Sequence, residues 1–180
     1  AEGIAVKKPG AVTQPVVSKH VDDVLLVDER ALEWAVGALV EQQRVVSEGA
    51  GAAGIAAIYQ HREVFEGKKV GLVICGGNID PRLLASILNR NMASDGRLAR
   101  LRIDISDEPG MLAGITASIS RCGGNIVEIY HQRLFYDVPA KLAKIDAVIE
   151  TRGPDHVTEI IDELRGASFQ VRQMDDYSGS

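Results

Sequence analysis

The stretch LRIDISDEPGMLAGITASISRCGGN, residues 101–125, decides the fold of the second half of the chain. Leu101, Ile103 and Ile105 alternate with polar residues, a pattern typical of a strand with one buried face and one face towards solvent. The turn residues Pro109 and Gly110 follow directly. The stretch therefore predicts a strand, then a tight turn, then a new element.

That new element has the pattern of an amphipathic helix. Leu112, Ile115, Ile119 and Cys122 recur at helical spacing, and the pair Gly123-Gly124 ends the pattern. The remaining elements predicted are strands at 126–135, 145–151 and 169–172 and a helix around 157–164. The order βαββαβ is that of a ferredoxin-like fold. We expect this domain to cover residues 99–175, with a disordered tail at 176–180.

The first half alternates helices with short apolar runs. Residues 24–27 and 69–75 are rich in Val, Leu and Ile and predict buried strands, the second one central in a parallel sheet. Helices are expected to start at Asp28, at Gly49 and at Asp80, the last with proline in its first turn.

Such alternation predicts an α/β domain over residues 1–94. A Ser-Asp-Gly cluster within residues 93–99 predicts a short linker to the second domain. Because the chain begins at Ala1 without an initiator Met or a signal-peptide core, we interpret it as a portion of a longer protein.

Composition excludes several classes of function. The 180 residues carry 20 basic and 25 acidic side chains, and this net charge of −5 argues against a general nucleic-acid binder. No apolar run approaches the length of about 18 residues that a membrane span needs. The two cysteines cannot form a disulfide framework and favour a reducing, cytoplasmic compartment. The four histidines are far apart, so no metal site is expected.

Residues 49–54 spell G-x-G-x-x-G, the dinucleotide-binding pattern. The segment before it, residues 44–47, is a poor strand that leaves no room for a turn, and no acidic residue follows the next strand to hold a ribose. The competing interpretation is that these small residues let a helix pack closely on the sheet.

A second glycine loop, residues 75–78, follows the strand predicted at 69–75. Ligands of open α/β sheets bind beyond the carboxyl ends of strands, and Gly76 and Gly77 would allow close approach. Cys75 could offer its thiol to a heteroaromatic nitrogen, or it could be a small buried hydrophobic residue. The pattern leaves both interpretations open.

Together, SEGAGAA at 47–53 and VICGGNID at 73–80 resemble the threonine dehydratases, also called threonine ammonia-lyases. These are pyridoxal-phosphate enzymes of the tryptophan-synthase-β type (fold type II). In the second half, DEPGML at 107–112 and GNI at 124–126 resemble the ACT regulatory domain that some of these enzymes carry. The resemblance implies the C-terminal part of a catalytic domain followed by an ACT domain.

The resemblance implies a cofactor-binding wall made of Glu48, Cys75, Gly76 and Gly77, with the Cys75 thiol facing the pyridine nitrogen. The family's Schiff-base lysine has no match, since no lysine here stands in the Ser-x-Lys-x-Arg context. We therefore expect no catalytic residue in this chain, inactivity of the chain alone, and a missing N-terminal half as its partner.

For the second domain, the resemblance implies an amino-acid effector, isoleucine or valine, bound across an interface between domains of a homo-oligomer. Backbone N–H groups at a helix N-terminus would bind its carboxylate, acidic side chains its ammonium group, and apolar side chains its aliphatic chain. The expected effector-binding residues are Asp107, Glu108, Pro109, Gly110, Met111, Leu112, Asn125 and Ile126. The sequence pattern alone slightly favours a helix-capping turn at residues 107–110, and some ACT domains only mediate assembly.

As a whole, the resemblance implies an enzyme that converts L-threonine to 2-oxobutyrate and ammonia and also accepts L-serine, giving pyruvate. The alternative from another class is a stand-alone amino-acid-binding or assembly module without catalytic activity.

Overall fold

The computed structural model describes residues 4–8, 10–132 and 142–174. The chain divides into two compact units, residues 1–91 and residues 92–180, called here the first and the second unit. Among the described residues, no helix is long and apolar enough to cross a membrane.

Helices dominate the first unit. They are α1 (Thr13–His20), α2 (Glu29–Ala38), which continues into a π-helical turn (Leu39–Gln43), α3 (Gly49–Gln60), α4 (Arg62–Phe65) and α5 (Pro81–Ser94). The Asp28 side chain accepts the N–H of Ala31 at 2.7 Å, and the Asp80 side chain accepts the N–H of Leu83 at 3.0 Å. Both predicted helix starts are therefore confirmed, because each carboxylate satisfies an N–H group that the first turn leaves open.

The small core of this unit lies between α2, α3 and α5. Its buried members include Leu32, Val36, Leu39, Ala56 and Ile87. Small residues on α3 allow its close approach to α2, since a helix without bulky side chains packs at short distance. This core fixes the start of α3, which the candidate site uses.

The two strands predicted for the first unit are not formed. Residues 24–27 and 69–75 have no regular secondary structure, and apolar side chains in them face solvent, with Leu26 83% and Val73 86% exposed. A strand is stabilised by hydrogen bonds to a neighbouring strand, and among the described residues no strand of this unit pairs with either run. The prediction of these strands is therefore wrong for this chain by itself.

The second unit has the predicted βαββαβ order. Its elements are β1 (Leu98–Ser106), α6 (Met111–Arg121), β2 (Asn125–Gln132), β3 (Leu142–Glu150), α7 (Pro154–Gly166) and β4 (Gln170–Met174). The strands form one antiparallel sheet in the order β2-β3-β1-β4, which confirms the ferredoxin-like prediction. Positions 133–135 of the predicted second strand, the domain's last residue 175 and the predicted tail 176–180 lie outside the described residues.

The core of the second unit lies between one face of the sheet and the two helices. Ile103 and Ile145 from the central strands, Ile119 from α6, and Ile160 and Leu164 from α7 are all fully buried. The alternation in β1 and the helical stripes seen in the sequence therefore meet in one layer. Residues 95–97 connect α5 to β1 and lie within the stretch 93–99 in which the linker is predicted.

Candidate functional site

In the first unit, the structure brings together two segments that are far apart in the sequence. The backbone N–H of Glu48 donates to the carbonyl oxygen of Gly76 at 2.7 Å. The Ser47 hydroxyl lies 3.1 Å from the carbonyl oxygen of Cys75. The start of α3 and the loop at 75–77 thus form one cluster, in which the predicted cofactor-binding residues are neighbours.

Cys75 lies on the surface of this cluster with an exposed side chain. The interpretation of Cys75 as a small buried hydrophobic residue therefore does not hold in this chain. Its thiol remains accessible to a ligand, which the interpretation as a partner for a heteroaromatic nitrogen requires.

Glycine is favoured at position 76 by its backbone conformation. Its φ of +70° is in the left-handed region, which side chains other than glycine rarely adopt. A Cβ atom there would also lie 2.5 Å from Oε1 of Glu48. The Glu48 side chain therefore packs directly over the glycine loop.

The G-x-G-x-x-G pattern serves packing in this structure. Gly49, Gly51 and Gly54 all lie inside α3, and no described strand precedes them, so the strand–turn–helix context of a dinucleotide site is absent from the described residues. A Cβ atom on Gly51 would lie 1.6 Å from the Cys75 carbonyl oxygen, and one on Gly54 would lie 3.0 Å from Leu72. The small residues thus allow close packing, as expected, although the partner is a loop instead of a sheet.

A cavity of about 400 Å³ adjoins this cluster. Its apolar part includes Leu32, Val36 and Ile87, and carboxylates such as Glu29 and Asp80 also line it. Anionic walls repel a phosphate group, so this cavity does not have the chemistry of a phosphate-binding site.

In the second unit, residues 107–110 form an exposed turn between β1 and α6. The N–H of Glu108 donates to the carbonyl oxygen of Ser106 at 2.9 Å, and Gly110, with φ +94°, is the residue that precedes the helix. Met111 and Leu112 pack partly against the core. The turn therefore places the positive end of the α6 dipole beside the acidic residues Asp107 and Glu108, at the surface.

Within one chain, Asn125 lies far from the turn at residues 107–110. The expectation that Asn125 and this turn bind one effector is therefore wrong for a single chain. Asn125, at the start of β2, and Leu98, at the start of β1, both pair with Glu150 at one end of β3. Ser106, which precedes the turn, pairs with Leu142 at the other end of β3. At about 3.3 Å per residue, the two ends are about 25 Å apart. The Asn125 amide donates instead to the Glu150 carboxylate at 2.7 Å. Ile126, at the same end, packs against the core.

Two residues of the first cluster have no counterpart among the predicted site residues. Ser47 is 1% exposed and contacts the loop through its hydroxyl, and Gly51 contacts the loop through its backbone. Both residues lie in the stretch 47–53, which the sequence analysis identified by its resemblance to a known family. Their position beside Glu48 is the feature of the sequence that could have indicated them. Among the described residues, no group of three His, Cys, Asp or Glu side chains could hold a metal ion.

Comparison with known proteins identifies similar sequences over nearly the whole chain. The chain is 40% identical over 172 residues to an L-threonine ammonia-lyase of Thermotoga maritima, an alignment that covers 96% of this chain and 43% of that protein. It is 36% identical over 171 residues to an L-threonine ammonia-lyase of Geobacter sulfurreducens, covering 95% of this chain and 42% of that protein. The chain therefore spans less than half the length of these curated relatives.

Among solved structures, a similar one is the ACT domain from GTP pyrophosphokinase of Chlorobium tepidum. It is 28% identical, with a TM-score of 0.35, and the match covers 43% of this chain and 96% of that domain. No family model matches the chain.

Proposed function

The chain corresponds to the C-terminal part of the L-threonine ammonia-lyases, and we propose that it serves such an enzyme as one wall of the cofactor site and as a regulatory domain. The intact enzyme would be a pyridoxal-phosphate-dependent, cytoplasmic lyase that converts L-threonine to 2-oxobutyrate and ammonia, and L-serine to pyruvate. The chain alone would be inactive, because the Schiff-base lysine belongs to the missing N-terminal half.

One observation carries the proposal. Two segments that resemble the family's motifs, and that are separated by 19 residues, converge on a single cluster through the contact between Glu48 and Gly76. A chance resemblance of either segment would not require the two to meet. Their convergence supports a shared ligand at this place.

The residues present fit a pyridoxal phosphate ring. Cys75 is exposed, and Gly76 next to it has no side chain. A Cβ atom at position 76 would lie too close to the Glu48 side chain. When bound, the cofactor supplies the electron-withdrawing group that makes the α-proton of the amino acid acidic. We assign Cys75 to the ring nitrogen as a neutral hydrogen-bond partner, Glu48 to the edge of the site, and the glycines Gly76 and Gly77 to the close approach of the backbone.

For the second unit we propose the binding of an aliphatic amino acid, isoleucine or valine, at the turn of residues 107–112. The N-terminus of α6 would bind its carboxylate, Asp107 or Glu108 its ammonium group, and Leu112 its side chain. The exposed, acidic turn beside a helix N-terminus supports this assignment.

A second copy of the chain would complete that site. β2 is an edge strand, and Val127 and Tyr130 on it are half exposed. Antiparallel pairing of β2 with the β2 strand of a second copy would bring the first residue of one strand beside the last residue of the other. Asn125 of the second copy would then lie at the end of the sheet where the turn is, which restores its predicted role.

The catalytic part of the proposal is tested on the full-length protein that contains this chain. We expect visible absorption from bound pyridoxal phosphate and release of 2-oxobutyrate from L-threonine. The chain alone, mixed with the cofactor and threonine, should release none. Full-length protein that binds the cofactor but forms no 2-oxobutyrate would contradict the assignment.

The regulatory part of the proposal is tested by calorimetric titration of this chain with isoleucine, valine, threonine and serine. We expect saturable binding of one aliphatic amino acid, its loss in Asn125→Ala, and unchanged binding in the control Thr158→Ala, which alters an exposed hydroxyl on α7. Equal binding by the wild type and by Asn125→Ala would refute the role of the second copy.

A further inference from the structure

We propose that Ser47 and Gly51 are positioning residues that hold the Cys75 thiol in place for the cofactor. This inference rests on the proposed function, because it concerns the same cluster. It adds two residues that act through their contacts with the backbone of the loop and need not touch the cofactor.

The first support is the environment of Ser47. Its hydroxyl oxygen lies 3.0, 3.1 and 3.3 Å from the carbonyl oxygens of Glu48, Cys75 and Gly76. A hydroxyl has one proton to donate, so these three acceptors share it. Because Ser47 is 1% exposed, water does not replace this donor. Removal of the hydroxyl would leave carbonyl oxygens of the loop with one hydrogen-bond donor fewer.

The second support is the contact at Gly51. A Cβ atom there would lie 1.6 Å from the Cys75 carbonyl oxygen and 2.4 Å from the Ser47 hydroxyl oxygen. The first of these neighbours is backbone, which cannot rotate away as the end of a side chain can. Any side chain at position 51 must therefore displace residue 75 from α3.

These contacts act together on one peptide. The Cys75 carbonyl is held between the Ser47 hydroxyl and the Gly51 backbone, while the next carbonyl, that of Gly76, accepts the Glu48 N–H at 2.7 Å. With its carbonyl fixed against α3, Cys75 has its backbone orientation set, and the residue is exposed at the surface. A functional group that must meet one ring atom needs this kind of support from residues behind it.

The test uses the full-length protein with the variants Ser47→Ala and Gly51→Ala and the matched control Gly54→Ala. Gly54 lies in the same helix, but its added methyl group would meet only the flexible end of Leu72, which is 41% exposed and can move. Three quantities are measured for each: the dissociation constant of pyridoxal phosphate, the absorption and emission spectra of the bound cofactor, and the melting temperature without cofactor.

We expect Ser47→Ala to weaken cofactor binding about fivefold, the equivalent of one hydrogen bond, and Gly51→Ala to weaken it tenfold or more. Both should change the spectra of the bound cofactor, because the thiol no longer meets the ring nitrogen in the same geometry. Gly54→Ala should bind within about twofold of the wild type, with the wild-type spectrum.

Two results would overturn the inference. One is wild-type affinity and spectra in Ser47→Ala, which is decisive even if Gly51→Ala does not fold. The other is weaker binding that accompanies a lower melting temperature in all three variants with an unchanged spectrum, since this would indicate a role in folding alone. A wild-type protein that binds no pyridoxal phosphate would instead contradict the proposed function itself.

Discussion

At the scale of single residues, the buried carboxylate of Asp146 binds two arginine side chains of β1 in the second unit. It is fully buried on the face of the sheet opposite the helices, and it accepts hydrogen bonds from Arg102 at 2.6 and 2.7 Å and from Arg100 at 3.0 Å. The hydrogen bonds from Arg102 lower the pKa of Asp146 below its usual value and, with help from Arg100, outweigh the opposing effect of burial.

We expect Asp146→Asn to destabilise the second unit by about 2 kcal/mol, less than a fully buried pair would lose, because Arg100 is 35% exposed. A carboxyl group with a lowered pKa stabilises the fold above its unfolded pKa, and this contribution is lost as the pH falls below about 4. The variant should therefore show a weaker loss of stability in acid. Urea unfolding at pH 7 and pH 3 measures both effects.

The control for this measurement is Asp162→Asn, since Asp162 is exposed and its ion pair with Arg165 is long, at 3.8 Å. A change of less than about 0.5 kcal/mol is expected there. A similar loss in both variants would show that the buried position of Asp146 has no special role.

His156 is a second buried polar residue of this unit, and each of its ring nitrogens makes a hydrogen bond. Its Nδ1 accepts the backbone N–H of Arg152 at 3.0 Å, and its Nε2 donates to the carbonyl oxygen of Cys122 at 2.8 Å. His156→Leu would leave the N–H of Arg152 and the carbonyl oxygen of Cys122, both in partly buried hydrogen bonds, without this partner, so we expect a loss of about 1–2 kcal/mol in urea unfolding. A variant as stable as the wild type would mean that water reaches both groups.

At the scale of elements, the end of α7 holds a residue in an unfavourable conformation. Ser168 has a φ of +67°, and the turn around it is closed by hydrogen bonds from Ser168 to Arg165 and from Phe169 to Leu164. This is the position after a helix where glycine is preferred.

We expect Ser168→Gly to stabilise the chain by about 0.5–1 kcal/mol, because glycine adopts this conformation without steric cost. The matched control is Ser120→Gly, an exposed position inside α6, which should lose about as much. Thermal unfolding of the two variants distinguishes them by the sign of the change. Destabilisation by Ser168→Gly would show that the serine makes a contact that outweighs the strain.

At the scale of the whole molecule, the first unit exposes apolar residues where strands were predicted. Leu26 and Val73 are each more than 80% exposed, and Leu72 and Ile74 are about 40% exposed. Exposed apolar segments with unpaired backbone favour association with other chains.

We expect the chain alone to self-associate at micromolar concentration and to bind a hydrophobic dye. The double variant Leu26→Ser/Val73→Ser should self-associate less and bind less dye, without a change in melting temperature. Sedimentation velocity over a range of concentrations measures the association. Unchanged association in the double variant would place the contact elsewhere, with the exposed edge of β2 as the next region to alter.

The second unit could be predicted from the sequence almost element by element. The alternation of Leu101, Ile103 and Ile105, the helical stripe of α6 and the glycines after it are local patterns, and local patterns specify local structure. The starts of α2 and α5 followed for the same reason, since a cap is made by a side chain within three residues of the N–H that it accepts.

The sequence by itself thus determined the order of the elements, the helix caps and the buried stripes, and it located the two glycine-rich segments. Only the tertiary structure decided that residues 24–27 and 69–75 remain unpaired in this chain, because a strand depends on a partner that local pattern does not reveal. Likewise, only the packing of α3 brought Ser47 and Gly51 against Cys75, and only strand register separated Asn125 from the turn at 107–110. These contacts join residues far apart along the chain, and their geometry is set by packing and hydrogen-bond register.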